Sequence, residues 1–375
     1  MSVQVSYKKQ LMFFLLLGIM FFVVLEISLK QTISYYVIEI CVDNLKKSEV
    51  GLNFSKNNFE NICKNYSKLL SINTEDNYYA YLLPDQKLDV VNVNGFGLRG
   101  TDIFQKQNDT YRIFMVGGST TFGSKAPSDN DTIPKYLENI LNSKYDKKFE
   151  VVNAGIGGAS SYTEINLIND RLLDLEPDMI IVYDGWNDLQ NNYIPFDVKN
   201  ASYSLDNHIL MKKIESIFYL PRAIQTIEHK ISSELFLLNT GKVNLGYSLT
   251  TEDTFALKSK SWSNRWNDFC LNDYSFSTYI FLQPILGTGD KKLSNFEKEL
   301  LDDPTVPPLS NFYHLMEKEL SNITNCNTHD LSRTFDNYSI PIYFDYGHTF
   351  IDGNQIIANN IYERILPTVL EDLSN

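Results

Sequence analysis

From residue 111 onward, short apolar runs alternate with segments in which apolar residues recur at the spacing of a helix. The runs have the length of buried strands, and several lead directly into glycine-rich turns. They predict five strands, at 111–116, 149–153, 179–183, 279–282 and 340–343, and helices at 133–144, 164–175, 295–301, 312–320 and 353–365. Strands that alternate with helices form a parallel sheet covered on both faces. The sequence therefore predicts an α/β fold.

Unusual residues follow the predicted strands, at the edge of the sheet where reactive groups of such folds collect. The first strand leads into Gly117, Gly118 and Ser119. Glycines at this point allow a sharp turn and the close approach of a ligand, so we expect the Ser119 hydroxyl to face the sheet end. A plain turn and a phosphate cradle are the alternatives, although no Gly-Lys-Ser/Thr follows as a phosphate-binding loop requires.

The second and third strands also end in possible hydrogen-bond donors. The turn with Gly157 and Gly158 is either a helix start that needs small residues or the source of a backbone N–H directed toward Ser119. Asn187, after the third strand, is either a turn former or a neutral amide donor toward a developing negative oxygen.

The last block places Asp345 three residues before His348, so that the carboxylate can hold the imidazole by its other nitrogen. The other four histidines lack comparable surroundings, and we expect surface or packing roles for them: His208, His229, His314 and His329.

The order of these blocks, each after a predicted strand, resembles that of the SGNH (GDSL-like) hydrolase superfamily. The resemblance covers roughly residues 90–368 and includes residues 94–100 ahead of the first strand and 281–284 around the fourth. It implies the family's flavodoxin-like fold, a three-layer α/β/α sandwich with a five-stranded parallel sheet. One position departs from the family: the Asp that usually precedes the nucleophile is Gly118 here, a form that exported branches often show.

Carried over residue by residue, the resemblance implies that Ser119 is the nucleophile, His348 its general base, and Asp345 the group that orients His348. The oxyanion hole then consists of the backbone N–H groups of Ser119 and Gly158 and the side chain of Asn187, with Gly157 as the alternative to Gly158. No cofactor and no metal are expected for this chemistry.

The same resemblance implies a serine esterase whose substrate is a small acyl ester or an acetylated glycan. Hydrolysis and acyl transfer share this machinery, so an O-acyltransferase that modifies a surface glycan remains an alternative. A catalytically silent binding domain on the cell surface is a second one.

The amino end contains a long uncharged run. Residues 11–25 carry no charge, and about 20 helical residues span the roughly 30 Å of a membrane's hydrocarbon core. Lys8 and Lys9 precede the run, which predicts a cytoplasmic amino terminus and an extracytoplasmic remainder. No small-residue cleavage pattern follows, which favours an uncleaved anchor in the cell membrane over a secretory signal peptide.

We therefore predict a cytoplasmic tail at 1–10, a single transmembrane signal anchor at 11–29, an extracytoplasmic stalk or N-terminal extension at 30–95, and a hydrolase-like catalytic domain at 96–375. A helical insertion at about 190–275 interrupts that domain and contains amphipathic segments at 209–220 and 223–238. These segments either cover the sheet or form a lid or an acyl-binding surface.

Charge and cysteine content exclude some classes of function. With 33 Lys and Arg against 46 Asp and Glu, the net charge is −13, which argues against nucleic-acid binding. The four cysteines contain no CxxC pair, which argues against a structural zinc site. In an exported chain the natural disulfides are Cys41–Cys63 and Cys270–Cys326, and four separate thiols are the alternative.

Overall fold

The computed structural model describes residues 6–73, 80–190, 220, 252–303 and 309–374. The chain divides into two compact units, one of Met1–Cys41 and Ser204–Asn244 and one of Val42–Tyr203 and Leu245–Asn375. The predicted amphipathic segments at 209–220 and 223–238 lie outside the described residues, apart from residue 220.

The smaller unit contains most of helix α1, Tyr7–Lys47. The large apolar side chains between Leu11 and Val24 are exposed, and the helix is long and apolar enough to cross a membrane. A signal sequence at this end of a chain has the same properties. The helix continues well past residue 29, so the apolar run and the polar segment that follows it form one continuous element.

The larger unit is built on a five-stranded parallel sheet. Its strands are β5 Thr110–Gly117, β6 Lys148–Gly155, β7 Met179–Asp184, β8 Ser277–Leu282 and β9 Asn327–Asp330. Across the sheet they lie in the order β6-β5-β7-β8-β9. Gly117 is in register with both Gly155 and Tyr183, so the carboxyl ends of the three strands β6, β5 and β7 are level. The turns that follow these strands therefore meet at one edge of the sheet.

Four short strands precede the sheet and form two antiparallel pairs: β1 Ser71–Asn73 with β2 Ala80–Leu82, and β3 Gln86–Lys87 with β4 Asn92–Val93. The larger unit also contains helices α2 Lys56–Tyr66, α3 Ser119–Phe122, α4 Ile133–Lys144, α5 Ser161–Leu167, α6 Trp186–Gln190, α7 Glu252–Cys270, α8 Asn295–Leu301, α9 Tyr313–Leu320 and α10 Ile351–Ser374.

Helices cover both faces of the sheet, as predicted. One set of alternate strand residues, including Ile113, Met115 and Ile181, forms a fully buried core with α4 and α10. On the other face, α7 packs against α5, α6 and α9. Every residue of the central strands β5 and β7 is buried, which explains why residues 113–116 and 179–183 form continuous apolar runs instead of alternating.

The predicted helix at 164–175 is irregular in the structure. The α-helical part is α5, and a single wide turn at Ile168–Leu172 and a tight turn at Leu173–Leu175 follow it. Apolar periodicity identified the buried face of the segment without indicating that its hydrogen-bond pattern changes.

The prediction of a strand at 340–343 is wrong, because the fifth strand is β9. Ile342 and Tyr343 are buried, which explains the apolar pattern, but their N–H groups donate to the buried carboxylate of Glu297 at 3.1 and 3.2 Å. Those groups are therefore not available for a parallel ladder. Strand β9 has the sequence Asn-Thr-His-Asp and lies at the edge of the sheet, where an apolar run is not required.

The predicted Cys270–Cys326 disulfide is confirmed and joins the end of α7 to the residue before β9, with the two Cα atoms 5.6 Å apart. Cys41 and Cys63 are also disulfide-bonded. The expectations for two further histidines hold: His314 is exposed, and His329 on β9 stacks on Tyr279 and Phe281. His208 and His229 lie outside the described residues.

Candidate active site

Ser119 is the first residue of α3, directly after β5, and is partly exposed at the carboxyl edge of the sheet. The two glycines before Ser119, Gly117 and Gly118, have no space for a side chain. A Cβ atom on Gly117 would lie 2.4 Å from the backbone oxygen of Tyr183, and Gly117 has a φ of +157°. The glycine therefore permits both the close packing of β5 on β7 and the sharp turn into α3.

The structure brings Ser119, His348 and Asp345 together, although 229 positions separate the serine from the histidine. Oγ of Ser119 lies 2.6 Å from Nε2 of His348. Nδ1 of the same imidazole lies 2.8 Å from Oδ2 and 2.9 Å from Oδ1 of Asp345. A carboxylate on Nδ1 favours the tautomer in which Nε2 is free to accept the serine proton.

Aromatic side chains fix the plane of the His348 ring. Phe344 stacks on it at 5.6 Å, and Trp186 meets it edge-on at 5.2 Å. Trp186 also packs directly on Gly347, where a Cβ atom would lie 2.1 Å from the indole ring. The imidazole can therefore rotate little, which keeps Nε2 directed at Ser119.

The carboxylate of Asp345 is partly exposed and is held by its own turn. Burial alone raises its pKa, but the adjacent His348 and the N–H groups of His348 and Gly347, at 2.8 and 3.1 Å, together hold the pKa below its ordinary value. Asp345 is consequently ionised throughout the neutral range and can stabilise a charged imidazole.

Asn187 lies on α6, beside the serine turn. Its Nδ2 atom donates to the backbone oxygen of Ala159 at 2.6 Å, and this bond fixes the amide while leaving the second Nδ2 hydrogen available. Gly158 has a φ of +78° and immediately precedes Ala159. Within the described ranges the N–H groups of Ser119 and Gly158 have no acceptor. Three donors therefore belong to the turns at this edge of the sheet.

Asp188, which the sequence analysis assigned no role, links two of these turns. Its carboxylate accepts from the N–H of Ser161 at 2.9 Å, from the Ser161 hydroxyl at 2.6 Å and from Arg265 at 2.6 Å. Because Asp188 follows Asn187 and Ser161 begins the helix after the Gly158 turn, these bonds fix the spacing between the two donors. The adjacency of Asn187 and Asp188 was the available sequence signal, but Arg265 is too distant in the chain to be paired with it.

Two further carboxyl groups are buried behind the site. Burial raises the pKa of Glu164 well above its ordinary value, and the charges of Asp184 and Asp188 raise it further. Burial and Asp188 likewise raise the pKa of Asp184, whose carboxylate accepts bonds from two indole N–H groups, those of Trp262 at 2.9 Å and Trp266 at 3.3 Å. Among the described residues the Glu164 carboxyl has no hydrogen-bond partner. The folded chain therefore favours the protonated form of Glu164.

Arg99 connects the serine turn to the segment that precedes the sheet. It is buried, and its guanidinium donates to the backbone oxygens of Phe122 and Gly123 at 2.9 Å, to Asp129 at 2.8 Å and to the hydroxyl of Tyr66 on α2 at 2.9 Å. Phe122 and Gly123 end the short helix that Ser119 begins. Residues 94–100, noted in the sequence only as part of the resemblance, thus contain a group that holds this helix.

Part of the chain matches a known protein family. Residues 115–256 match the model of the GDSL-like Lipase/Acylhydrolase family. The resemblance is confirmed. The GDSL-like match includes Ser119, Gly158 and Asn187, whereas Asp345 and His348 lie beyond it and join the site only in three dimensions. The match supports an ester-hydrolysing enzyme, and no curated protein matches the chain significantly.

Several solved esterases resemble the chain weakly. An acetyl xylan esterase, AlAXEase, is 14% identical over 67% of this chain and 98% of its own, with a TM-score of 0.38. A catalytic mutant of Axe2, an acetylxylan esterase from Geobacillus stearothermophilus, is 13% identical over 68% and 94%, with a TM-score of 0.37. A two-domain esterase (CEX) active on acetylated mannans is 13% identical over 68% and 48%, with a TM-score of 0.38. At these TM-scores none of the three esterases bears on the function of this chain.

Proposed function

We propose that this chain is an SGNH-type serine esterase that deacetylates a carbohydrate or another small acyl ester outside the cell. The observation that carries the proposal is the 2.6 Å contact between Oγ of Ser119 and Nε2 of His348, with Asp345 on the opposite ring nitrogen. A neutral serine is a weak nucleophile, and such a contact is what activates it.

In the first half of the reaction, Oγ of Ser119 attacks the ester carbonyl carbon while Nε2 of His348 takes the hydroxyl proton. The resulting imidazolium is stabilised by the ionised Asp345, whose lowered pKa keeps it charged at neutral pH. The imidazolium then gives the proton to the departing alcohol oxygen, and an acyl-Ser119 ester remains.

Negative charge develops on the former carbonyl oxygen during this attack. The N–H groups of Ser119 and Gly158 and the second Nδ2 hydrogen of Asn187 are the proposed donors. A single donor of this kind contributes roughly 3–4 kcal/mol to stabilisation of the transition state in other hydrolases. The bond between Asn187 and Ala159 supports this role because it orients the amide before the substrate arrives.

In the second half, His348 takes a proton from water, the resulting hydroxide attacks the acyl group, and Ser119 recovers its proton. A sugar hydroxyl in place of water gives acyl transfer by the same steps. Ser119, His348 and Asp345 are all present, and His348 lies within hydrogen-bonding distance of both other side chains. This favours an active enzyme over a silent binding domain.

We propose a single-pass position in the cell membrane, with a cytoplasmic amino terminus and the catalytic unit outside. Two features support it: the exposed apolar helix α1 and the oxidation of all four cysteines to disulfides, which persist in oxidising compartments.

The test is active-site labelling of the full-length chain in detergent with a fluorophosphonate probe, together with release of acetate from vinyl acetate. The parent and the surface control Ser143→Ala should be labelled and active, while Ser119→Ala should be neither. Equal labelling of the parent and Ser119→Ala would refute the proposal. Acetate that appears on added methyl glycoside instead of in solution would identify a transferase.

A further inference from the structure

A cavity of about 290 Å³ lies beside the proposed triad. Its walls include Trp186 after β7, Ile285 after β8, Ser310 and Asn311 before α9, and Tyr346, two residues before His348. The volume is near the lower limit for small-molecule sites, roughly 300 Å³, and therefore suits one ring better than an oligosaccharide.

The strand order determines which part of an ester this cavity can receive. The Gly158 turn follows the edge strand β6, on one side of β5, whereas the walls of the cavity follow β7 and β8, on the other side. Trp186 forms one wall and lies 5.2 Å from the His348 ring. Since Nε2 of His348 gives its proton to the departing alcohol, the alcohol part of the ester must lie on the histidine side. The acyl oxygen lies instead between the Gly158 turn and the Asn187 amide, which is fixed on Ala159 beside that turn.

The chemistry of the walls indicates the kind of alcohol. Trp186 and Tyr346 offer ring surfaces, and such amphipathic rings pack well on the C–H faces of a sugar. The side chains of Ser310 and Asn311 have no hydrogen-bond partner in the described part of the chain, so both are available to sugar hydroxyls. None of the described lining residues is charged.

We infer that this cavity binds the alcohol part of the substrate, a single neutral pyranose ring that carries the acyl group. This inference rests on the proposed esterase activity and assigns its substrate class. The apolar side chains in the same walls, such as Ile285, make an acyl chain the competing occupant, and the experiment separates the two.

The experiment compares three substrates with the full-length chain in detergent: vinyl acetate, vinyl hexanoate and acetylated methyl β-D-glucopyranoside. The variants are Asn311→Leu, which removes the amide, and Asn311→Trp, which fills the cavity from an exposed position. Asn337→Leu, at an exposed site elsewhere, is the matched control. We expect both variants at 311 to lower kcat/KM for the acetylated glucoside, through KM, at least tenfold more than they lower kcat/KM for vinyl acetate.

The ratio of vinyl acetate to vinyl hexanoate turnover should remain that of the parent. A changed ratio with an unaffected glucoside rate would place the acyl chain in the cavity and overturn the inference. Unchanged rates on all three substrates would overturn it as well. The corresponding acetylated methyl glucuronide should react more slowly than the glucoside, because the cavity offers its carboxylate no counter-charge.

Binding gives a readout that does not depend on hydrolysis. Saturation-transfer NMR with Ser119→Ala should detect methyl β-D-glucopyranoside, and the signal should disappear when Asn311→Leu is added to that variant. A parent that hydrolyses nothing would refute the esterase while this binding signal could still appear. Active hydrolysis without any binding signal, or with one that persists in Asn311→Leu, would refute the sugar subsite alone.

Discussion

Gly118 and Asn187 are packed so closely that a Cβ atom on the glycine would lie 2.3 Å from Nδ2 of the amide. The same Nδ2 atom is fixed on the backbone oxygen of Ala159. A side chain at position 118 would therefore meet the Asn187 amide.

Gly118→Ala should displace the Asn187 amide and lower kcat by about 10²–10³-fold, the usual effect of losing one oxyanion donor. Vinyl acetate kinetics measure the effect, and thermal unfolding should show that the chain still folds. Gly157→Ala is the matched control, because a Cβ atom there has no neighbour within 4 Å. Full activity in Gly118→Ala would show that the amide does not act in the transition state.

Asp345→Asn should lower kcat by about 10⁴-fold, as loss of the orienting carboxylate does in another serine hydrolase, because the imidazole loses its preferred tautomer. The folded pKa of Asp345 lies below its ordinary value near 3.9, so its ionised form stabilises the fold. That stabilisation is complete above about pH 5 and is lost as the pH falls through the lowered pKa.

The difference in Tm between the parent and Asp345→Asn should therefore shrink as the pH falls from 5 toward 2. A difference that grows over this acid range would show that the carboxylate is not held as an anion.

Glu164→Gln tests a carboxyl group whose pKa is raised in the folded chain, whereas that of Asp345 is lowered. Burial raises the pKa of Glu164, so the folded chain holds a proton that the unfolded chain releases above about pH 4.3. The stability of the parent should fall as the pH rises through the raised pKa, and Glu164→Gln should not show this part of the decline. Thermal unfolding from pH 4 to 9 measures it, with the exposed Glu371→Gln as control. Parallel curves for the parent and Glu164→Gln would indicate an ionised Glu164.

Arg99→Lys keeps the charge but loses the planar fork that bonds several oxygens at once. We expect a loss of about 1–3 kcal/mol in the free energy of unfolding, the cost of leaving buried hydrogen-bond acceptors unsatisfied, and a lower kcat because α3 is less firmly held. Urea unfolding and vinyl acetate kinetics check this. Arg333→Lys, in an exposed pair with Asp290 and Asp336, should change neither. Equal effects at the two positions would mean that the Arg99 contacts contribute little.

The sequence was sufficient where local pattern determines structure. The buried strands β5, β7 and β8 contain continuous apolar runs at 113–116, 179–183 and 279–282, and the helix predicted at 133–144 has the observed bounds of α4. Ser119 and Asn187 lie in the turns after β5 and β7, so their positions at the sheet edge could be predicted. The parallel topology brings the turns of Ser119, Gly158 and Asn187 to one edge, but His348 does not directly follow a strand of the sheet, so only the structure shows its contact with Ser119.

What the sequence could not predict depends on partners that are distant in the chain. Glu297 accepts hydrogen bonds from the N–H groups of Ile342 and Tyr343, in a segment whose apolar pattern predicts a strand. Arg265 donates a hydrogen bond to Asp188, and Arg99 donates one to the hydroxyl of Tyr66. No sequence periodicity relates the two members of either pair. Such contacts are visible only after the fold has placed the elements side by side.

Both edge strands of the parallel sheet are poorly suited to pairing with a strand of another molecule. On one side, β9 is four polar residues long and ends in an exposed Asp330, a poor template for a foreign strand. On the other, the backbone of Arg99 already bonds to Asn153 of β6 at 3.1 Å. Both features make it less favourable for a strand of another molecule to extend this sheet.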